Sequence, residues 1–576
     1  MATYRSDLQD IYFNLLDVLN ITQFKEYGLE AEDIKSILEQ FDKFVSGEIF
    51  PTRQKSDEEG VQLINGKVTA PECLKPMHKS FYENGWFGVG MPEDIGGTPV
   101  PEAIYTCNTS LSTSANCAWV MYPALSRAAA NVIRLVGDDK MKQTYLPPMM
   151  EGKWGGTMCL TEADAGSDVG NLRTTAIPTD DGRYKIKGVK IFISGGESDL
   201  YENNIHLVLG RTPDGEAGSK GISLFIVPRF NINEDGSNGE ANDVVCTKIE
   251  HKMGIHASAT CELTFGTNDN CYGYLIGKEF DGMATMFIMM NEARLYCGVQ
   301  GESQANLAYE FALQYAKERS QFSTEIANHP DVQKMLLKMR SVTRGMRSLC
   351  LYVATLFDHA KTDPELEQII GLLTPIAKAY CSDQGFNMSV EAVQVHGGYG
   401  YCTEYGVEQF VRDTKIATIY EGTNGIQAID FIMRKVLKDQ GKAITKLLGM
   451  IQESMKSAEG LGFENEIDIF NNVLGKTQAI LKLIQEKAVA KEFNKILFFA
   501  TDFLHYSSQL VVAFRHLENA KIAKGKIENS SNQDEKDYLE SKIIDFKFYV
   551  GQFLQQNISL GDSIINNEQQ FSSLKF

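Results

Sequence analysis

A single carboxylate, Glu421, stands between an aromatic residue and a glycine in the run Tyr420, Glu421, Gly422, Thr423. A group so placed is suited to removing a proton from a bound carbon acid. Gly422 lets a ligand come close to the backbone, because no Cβ stands in the way. The run closes a longer stretch, residues 394–430, that begins with a glycine-rich turn at Gly397, Gly398 and Gly400. An isolated tetrapeptide of this kind recurs by accident and reads first as a polar turn between helices. Three further runs carry chemistry-bearing residues. Thr161 and Ser167 offer hydroxyl donors around Gly166, a set that suits a phosphate. Arg319 follows a helical pattern; its guanidinium is a bidentate phosphate partner or, read structurally, the cation that a helix C-terminus favours. Arg294 follows Asn291, Glu292 and Ala293.

The elements that must position these residues show in the hydrophobic period. Residues 7–19 place Ile11, Leu15, Leu16 and Leu19 on one helical face, and residues 31–45 do the same with Ile34, Ile37, Leu38 and Phe41. Residues 52–72 are polar and predict a loop or hairpin; Pro92 and the glycines of residues 85–97 end a helix. Between Trp154 and Gly277 the period changes to two. Residues 184–189 alternate behind the turn Asp181-Gly182, and residues 205–209, 222–227 and 261–265 are short apolar runs. That pattern predicts a small β domain between helical ones. The helical period returns at residues 283–317, 331–358 and 375–395, and continues from Val436 to the end with a flexible loop predicted at 525–537.

Composition narrows the class. A chain of 576 residues exceeds one compact core, and 43% hydrophobic with 23% charged residues is an ordinary globular mixture. The net charge of −19 disfavours nucleic acid and anionic membranes as partners. Eleven cysteines without a CxxC pair argue against a disulfide framework and predict a reducing, cytoplasmic setting. Cys159, Cys261, Cys297 and Cys381 read as buried packing. Acids close to the N-terminus give no secretory or organelle leader, and the ending SSLKF is not a peroxisomal address. No apolar run reaches the roughly 18 residues of a membrane span. Residues 496–514 come nearest but contain Asp502, His505 and Ser507, which predicts a buried amphipathic helix instead. Nine histidines form no metal-ligand spacing, so no metal is expected. No nucleophile elbow, phosphate-binding P-loop or complete dinucleotide fingerprint occurs.

The stretch 394–430 resembles the acyl-CoA dehydrogenase family. There a QxxGGxGY turn, an RDxK helix and a YEGT loop follow in this order, here at Gln394 to Tyr401, Arg412 to Lys415 and Tyr420 to Thr423. Residues 158–168 are similar to the family's flavin-binding TEPxAGSD loop, with Ala163 near the usual proline. Residues 190–196 are similar to its K-x-W-I-T-N-G strand, with Phe192 for the aromatic that covers the flavin and Ser194 for the hydroxyl near N5. Residues 319–323 are similar to an R-x-x-F-G turn that reaches the FAD diphosphate of a neighbouring subunit, with Ser323 for the glycine. Residues 291–294 match a segment beside CoA, commonly D-x-x-R.

The resemblance implies FAD contacts at Met158, Thr161, Gly166, Ser167, Phe192, Ser194, Arg319, Gln321, Phe322, Gln394, Gly397, Gly398, Thr423 and Gly425. It implies substrate contacts at Ser167, Asn291, Arg294 and Gly422, packing of His396 against the cofactor, and Glu421 as the catalytic base. Some relatives carry the base immediately before the arginine, where this chain has Ala293; Glu292 is one position off, about 100° around a helix.

The implied activity is FAD-dependent α,β-dehydrogenation of an acyl-CoA to a trans-2-enoyl-CoA, with electrons passed to an electron-transferring flavoprotein. The implied fold is α+β and mainly α: an N-terminal helical domain (1–153), a middle β-barrel (154–280), a C-terminal four-helix bundle with the catalytic loop (281–435) and an additional helical domain (436–576). The additional domain is similar to that of the longer members, 3-methylmercaptopropionyl-CoA dehydrogenase-like enzymes among them. In those it covers the surface that pairs dimers into tetramers, so a homodimer is expected. Three alternatives stand beside this reading. An acyl-CoA oxidase would reduce oxygen, and a DNA-associated relative needs a basic C-terminal face that the nearly balanced charge of residues 436–576 does not supply. A non-catalytic binding protein would tolerate loss of the base, which is present.

Overall fold

Short apolar runs separated by turn residues assemble into an eight-stranded sheet. Its order is Val244–Ile249, Thr260–Phe265, Tyr184–Ser194, Tyr272–Leu275, Ile222–Pro228, Asn203–Arg211 and Trp154–Cys159. The eighth strand, Thr175–Pro178, pairs antiparallel with Tyr184–Ser194 and bridges to Asn203–Arg211 through Thr175 and Arg211. Five strands thereby close on themselves as a barrel, which removes the unpaired edges an open sheet would present. Ile186, Val208, Phe225, Leu263 and Phe265 fill its core. The alternation at residues 184–189 and the apolar runs at 205–209, 222–227 and 261–265 all fall in these strands.

This is a computed structural model; it describes residues 3–567, with Met289, Asn291 and Asn567 described by backbone alone. The chain packs as two compact units, and the remainder is mainly helical. One unit holds residues 41–100 and 115–293, including the barrel; the other holds the described residues up to 40, residues 101–114 and those from 294 on. These limits cut across the segments drawn from sequence, and two of them fall inside the long helices Glu102–Val136 and Gly282–Glu318. The first helix leaves helical geometry at Asn116 (φ −153°, ψ 85°). The Asn116 amide there donates to the hydroxyls of Thr52 and Ser56 and accepts from the Trp119 N–H.

Several elements differ from the sequence reading for local reasons. Residues 52–72 do contain a hairpin, Gln62–Ile64 with Lys67–Thr69, but a polar helix, Arg53–Glu59, precedes it. The predicted loop at 525–537 is largely helix. Ala500–Ile527 runs into it, and Gln533–Tyr549 starts from an Asn532 cap whose side chain accepts from the N–H groups of Asp534 and Glu535. Polar composition there marks solvated helix ends. Pro375 lies inside Leu366–His396, not at its start; Ile369, Leu372, Leu373 and Ile376 are all buried around it and hold the helix through the missing donor. Residues 496–514 span the end of Phe493–Phe498 and the start of the buried helix Ala500–Ile527. Among the described residues no helix is long and apolar enough to cross a membrane.

The larger helical unit is organised around buried charge. Asp10 is fully buried and accepts from Arg347 (2.7 Å), the Tyr538 hydroxyl (2.9 Å) and Lys542. Arg347 also donates to Glu302 (3.1 Å) and Asn306 (2.6 Å), while Ser110 donates to Glu302 at 2.7 Å. Burial pushes the Asp10 carboxyl up, but Lys542, Arg347 and Arg344 outweigh it and hold it below the ordinary carboxylate range.

Breaking one partner of such a pair leaves an uncompensated buried charge. Lys542→Met is expected to cost about 3–5 kcal/mol, read as a lower urea midpoint at neutral pH. Because the folded pKa of Asp10 is depressed, its contribution is complete above the unfolded value of about 4 and is lost as pH falls below it. The share of stability that Asp10 carries is therefore expected to be lost only below about pH 4, and an unchanged urea midpoint for Lys542→Met would contradict the role given to this cluster.

Candidate active site

The carboxylate loop is a strained turn. It leads from the helical turn Lys415–Thr418 into the helix Asn424–Asp430, and Glu421 and Gly422 take left-handed φ values of 57° and 83° in succession. For a non-glycine residue that conformation costs on the order of 1–3 kcal/mol. Buried side chains hold it. The Gln427 amide donates to the carbonyls of Glu421 (3.1 Å) and Gly422 (3.3 Å), and Lys378 Nζ donates to the Gly422 carbonyl (2.9 Å) and to Asn424 Oδ1 (2.8 Å). Position 422 must be glycine, because a Cβ there would lie 2.9 Å from Gln427 Nε2 as well as in a left-handed backbone. Thr423 Oγ1 accepts from the Ile426 N–H and caps the following helix. The Tyr420 hydroxyl donates to Gln300 on the helix Gly282–Glu318.

The carboxylate itself is left bare on one side: Glu421 Oε2 is buried and has no hydrogen-bond partner. Burial raises the pKa of this carboxyl, and the positive charges of Arg294 and Lys378 recover only part of the shift. Arg294, expected beside a bound ligand, is buried with its charge toward Glu421. Ala293 precedes it, and the Glu292 carboxylate accepts from Asn131 at 3.2 Å. The side chain of Asn291 lies outside the described residues.

The same unit gathers a second, exposed group. Ser320–Gln321 and Thr324–Glu325 form a small hairpin whose tip, Phe322 and Ser323, has φ values of 53° and 65°. Ser323 thus adopts the left-handed geometry for which glycine is the easier residue. Phe322 is 93% exposed, and Arg319 and Gln321 are exposed with it. The Arg319 guanidinium lies over the Tyr399 ring at 5.7 Å, which brings the hairpin to the turn Gly397–Tyr401. Gln394, Gly397 and Gly398 are exposed there, and nothing lies within 4 Å of a Cβ at either glycine. Thr423 is half-buried and Gly425 exposed. His396, expected against a cofactor, is buried instead: it stacks on Tyr315 at 4.4 Å and Nδ1 is 2.8 Å from the Ala392 carbonyl.

In the barrel unit, Met158 is half-buried within the strand Trp154–Cys159, Thr161 and Ser194 are half-buried, and Gly166 and Ser167 are exposed. Phe192 is 59% exposed at φ 58°. It sits in a β-bulge, where Ile191 and Phe192 oppose the single residue Glu262, and the bulge turns the ring out of the strand. A buried pair fixes the adjacent loop. Lys190 Nζ donates to Glu162 (2.7 Å) and to the Leu160 carbonyl (3.0 Å). Glu162 also accepts from the N–H groups of Arg173 and Thr174 and from the Thr174 hydroxyl. Burial pushes the Glu162 carboxyl up, but Lys190 and these donors hold it down. Glu162 and Lys190 stand in the motifs read from sequence but without a role there, and Lys378 and Gln427 were passed over. The signal of Lys378 and Gln427 is a charge or amide inside an otherwise apolar run.

The chain matches four family profiles in order: acyl-CoA dehydrogenase N-terminal domain over residues 31–153, middle domain over 157–267, C-terminal domain over 281–437, and an acetyl-CoA dehydrogenase C-terminal-like domain over 447–575. It is 39% identical over 467 residues to a 3-methylmercaptopropionyl-CoA dehydrogenase of Ruegeria pomeroyi, covering 78% of this chain and 79% of that protein. It is 35% identical over 582 residues to a butyryl-CoA dehydrogenase of Syntrophomonas wolfei, covering 95% and 94%. The crystal structure of an acyl-CoA dehydrogenase from Bacillus anthracis complexed with FAD has the same fold, with a TM-score of 0.73 at 22% identity over 93% of this chain and 92% of that one.

Proposed function

The chain belongs to the acyl-CoA dehydrogenase family, and on that premise we propose that Glu421 removes the α-proton of an acyl-CoA thioester on the way to a trans-2-enoyl-CoA. It is an oxidoreductase acting on a CH–CH bond, with FAD as cofactor. The observation that carries the assignment of the base is the bare, buried Oε2 of Glu421 on a strained turn. A buried acceptor with no partner is costly unless a ligand supplies the proton it lacks. Its raised pKa makes it a stronger base, and Arg294 and Lys378 keep the charged form accessible. A backbone N–H beside Glu421 would polarise the thioester carbonyl, since donors aimed at developing enolate charge are worth most where water is excluded.

The residues present suit FAD in each unit taken by itself. In the barrel unit, Met158, Thr161, Ser167 and Ser194 offer polar and backbone contacts, no atom crowds Gly166, and Phe192 presents a free ring face. In the helical unit, Arg319 with Gln321 and Phe322 suits a diphosphate, and Gln394, Gly397, Gly398, Thr423 and Gly425 offer open backbone. When bound, FAD supplies the acceptor for the β-hydrogen, taken as hydride at flavin N5. Ser167, Asn291, Arg294 and Gly422 remain the residues assigned to the acyl-CoA. An electron-transferring flavoprotein is the proposed acceptor and a homodimer the proposed assembly. Peroxide formed in air without added acceptor would favour the oxidase reading.

Glu421→Gln should keep its flavin and lose about 10²–10⁴-fold in turnover, the usual worth of a general base. Near-normal turnover would show that the base is misassigned. The wild-type rate should fall as pH drops through a pKa above the ordinary carboxylate value, because only the ionised form accepts a proton. Arg319→Ala should lose FAD on dialysis while keeping turnover per bound flavin; full retention would count against its phosphate role. A steady-state panel of straight, branched and sulfur-containing acyl-CoAs assigns the substrate.

A further inference from the structure

Lys378 is completely buried within the helix Leu366–His396, where an aliphatic side chain of similar length would fill the same space without desolvating a charge. Its hydrogen bonds go to the carboxylate loop: one to the Gly422 carbonyl and one to Asn424. The Gly422 carbonyl also takes the Gln427 amide, and the Glu421 carbonyl takes the same amide, so both left-handed peptides are pinned at their oxygens. We propose that Lys378 is a positioning residue for proton removal: it holds the Gly422 carbonyl and Asn424 of the turn that aims Glu421, beside the Gln427 amide, and supplies one of the positive charges facing that carboxylate.

The proposal rests on the reading of Glu421 as the base. The ionisable groups around the carboxylate are few. Arg294 and the Cys297 thiol face it from the helix Gly282–Glu318, and Lys378 from Leu366–His396. Asp383, further along the latter helix, faces Lys378 and is joined to Asn424, with Lys415 and His505 facing Asp383 in turn. Burial keeps the Cys297 thiol neutral, pushed up to about 12, so the charges acting directly on Glu421 are the two cations. Removing either one must raise the carboxyl pKa, and removing Lys378 also leaves the Gly422 carbonyl to the longer Gln427 bond alone.

The test uses the FAD-loaded, full-length protein and the acyl-CoA it turns over best. For Lys378→Met, kcat should fall by about 10–100-fold with KM changed less than about threefold, because a slightly misplaced base loses rate rather than ground-state binding. The acid limb of the kcat–pH profile should move to higher pH by roughly half a unit to one unit. Lys378→Gln keeps a donor but not the charge, so it should recover part of kcat while retaining the displaced limb. Flavin content and melting temperature are followed in both. An unmoved limb in Lys378→Gln overturns the proposal whatever happens to stability, and it does so even if Lys378→Met fails to fold. A loss of melting temperature with kcat and limb unchanged in either folded variant also overturns it, since that is what a purely structural lysine would give. Glu421→Gln run alongside separates the two readings: if it keeps turnover the base is wrong, and if it is inactive while the limb stays put the lysine is wrong.

Discussion

The buried arginine Arg347 is the fixed point of the helical unit. Through Asp10, Glu302 and Asn306 it joins the N-terminal helix and the helix Gly282–Glu318, Glu302 adds Ser110, and Asp10 adds Lys542 and Tyr538 from the helix Gln533–Tyr549. A charge cluster of this kind brings little net stability, because desolvation consumes most of the attraction, but it penalises every arrangement in which one member is missing. Two of its members, Glu302 and Asn306, share a helix with Arg294 and Gln300. Eight residues separate Arg294 from Glu302, about 12 Å of helix rise, so the register fixed at one end is delivered to the other. Gln300 receives the Tyr420 hydroxyl and Arg294 faces Glu421. The C-terminal helices therefore bear on the carboxylate loop without contributing a residue to it.

At the loop two opposing effects are set against each other. Burial alone would push Glu421 further toward its protonated form, which cannot act as a base. Full pairing with a cation would keep it ionised but weak, and would fill the oxygen that must accept the proton. The arrangement found is intermediate: Arg294 and Lys378 act through space, and Oε2 stays unpaired. Lys378 spends its hydrogen bonds on the Gly422 carbonyl and Asn424, so its charge is present without blocking the carboxylate.

Much of the sheet was legible because its signals are local: alternation at residues 184–189 and short apolar runs at 205–209, 222–227 and 261–265 each fall in a strand. The glycine turn and the YEGT run were legible as motifs. Lys190 and Lys378 were not, since a lysine in a strand or helix pattern reads as a solvated face, and only tertiary packing reveals that each is buried against the loop it holds. The loop predicted at 525–537 narrows to residues 528–532 for a related reason: glycine, serine and acidic residues mark capped helix ends as well as coil, and the Asn532 cap starts the next helix. His396 was drawn toward a cofactor by its place in the turn, whereas the ring of Tyr315, remote in sequence, takes it up.

Backbone strain separates the site residues from the scaffold more sharply than composition does. Asn20, Asn65, Asp243 and Asp269 also have positive φ, but Asn and Asp enter that region readily and sit in ordinary turns. Phe192, Phe322, Ser323 and Glu421 have no such excuse, and all four fall in the runs first singled out for chemistry. Glycine would relieve each turn at no steric cost, yet it would remove the ring or carboxylate that the turn presents. Strain retained where glycine is available means that the side chain's direction outweighs about 1–3 kcal/mol of backbone energy at each position. Ile255, Phe280, Gln440 and Lys491 show that strain alone does not make a site, since they share the conformation outside those runs. What distinguishes Glu421 is the conjunction: a strained backbone pinned by two buried donors, and an oxygen left open at the point where the strain aims it.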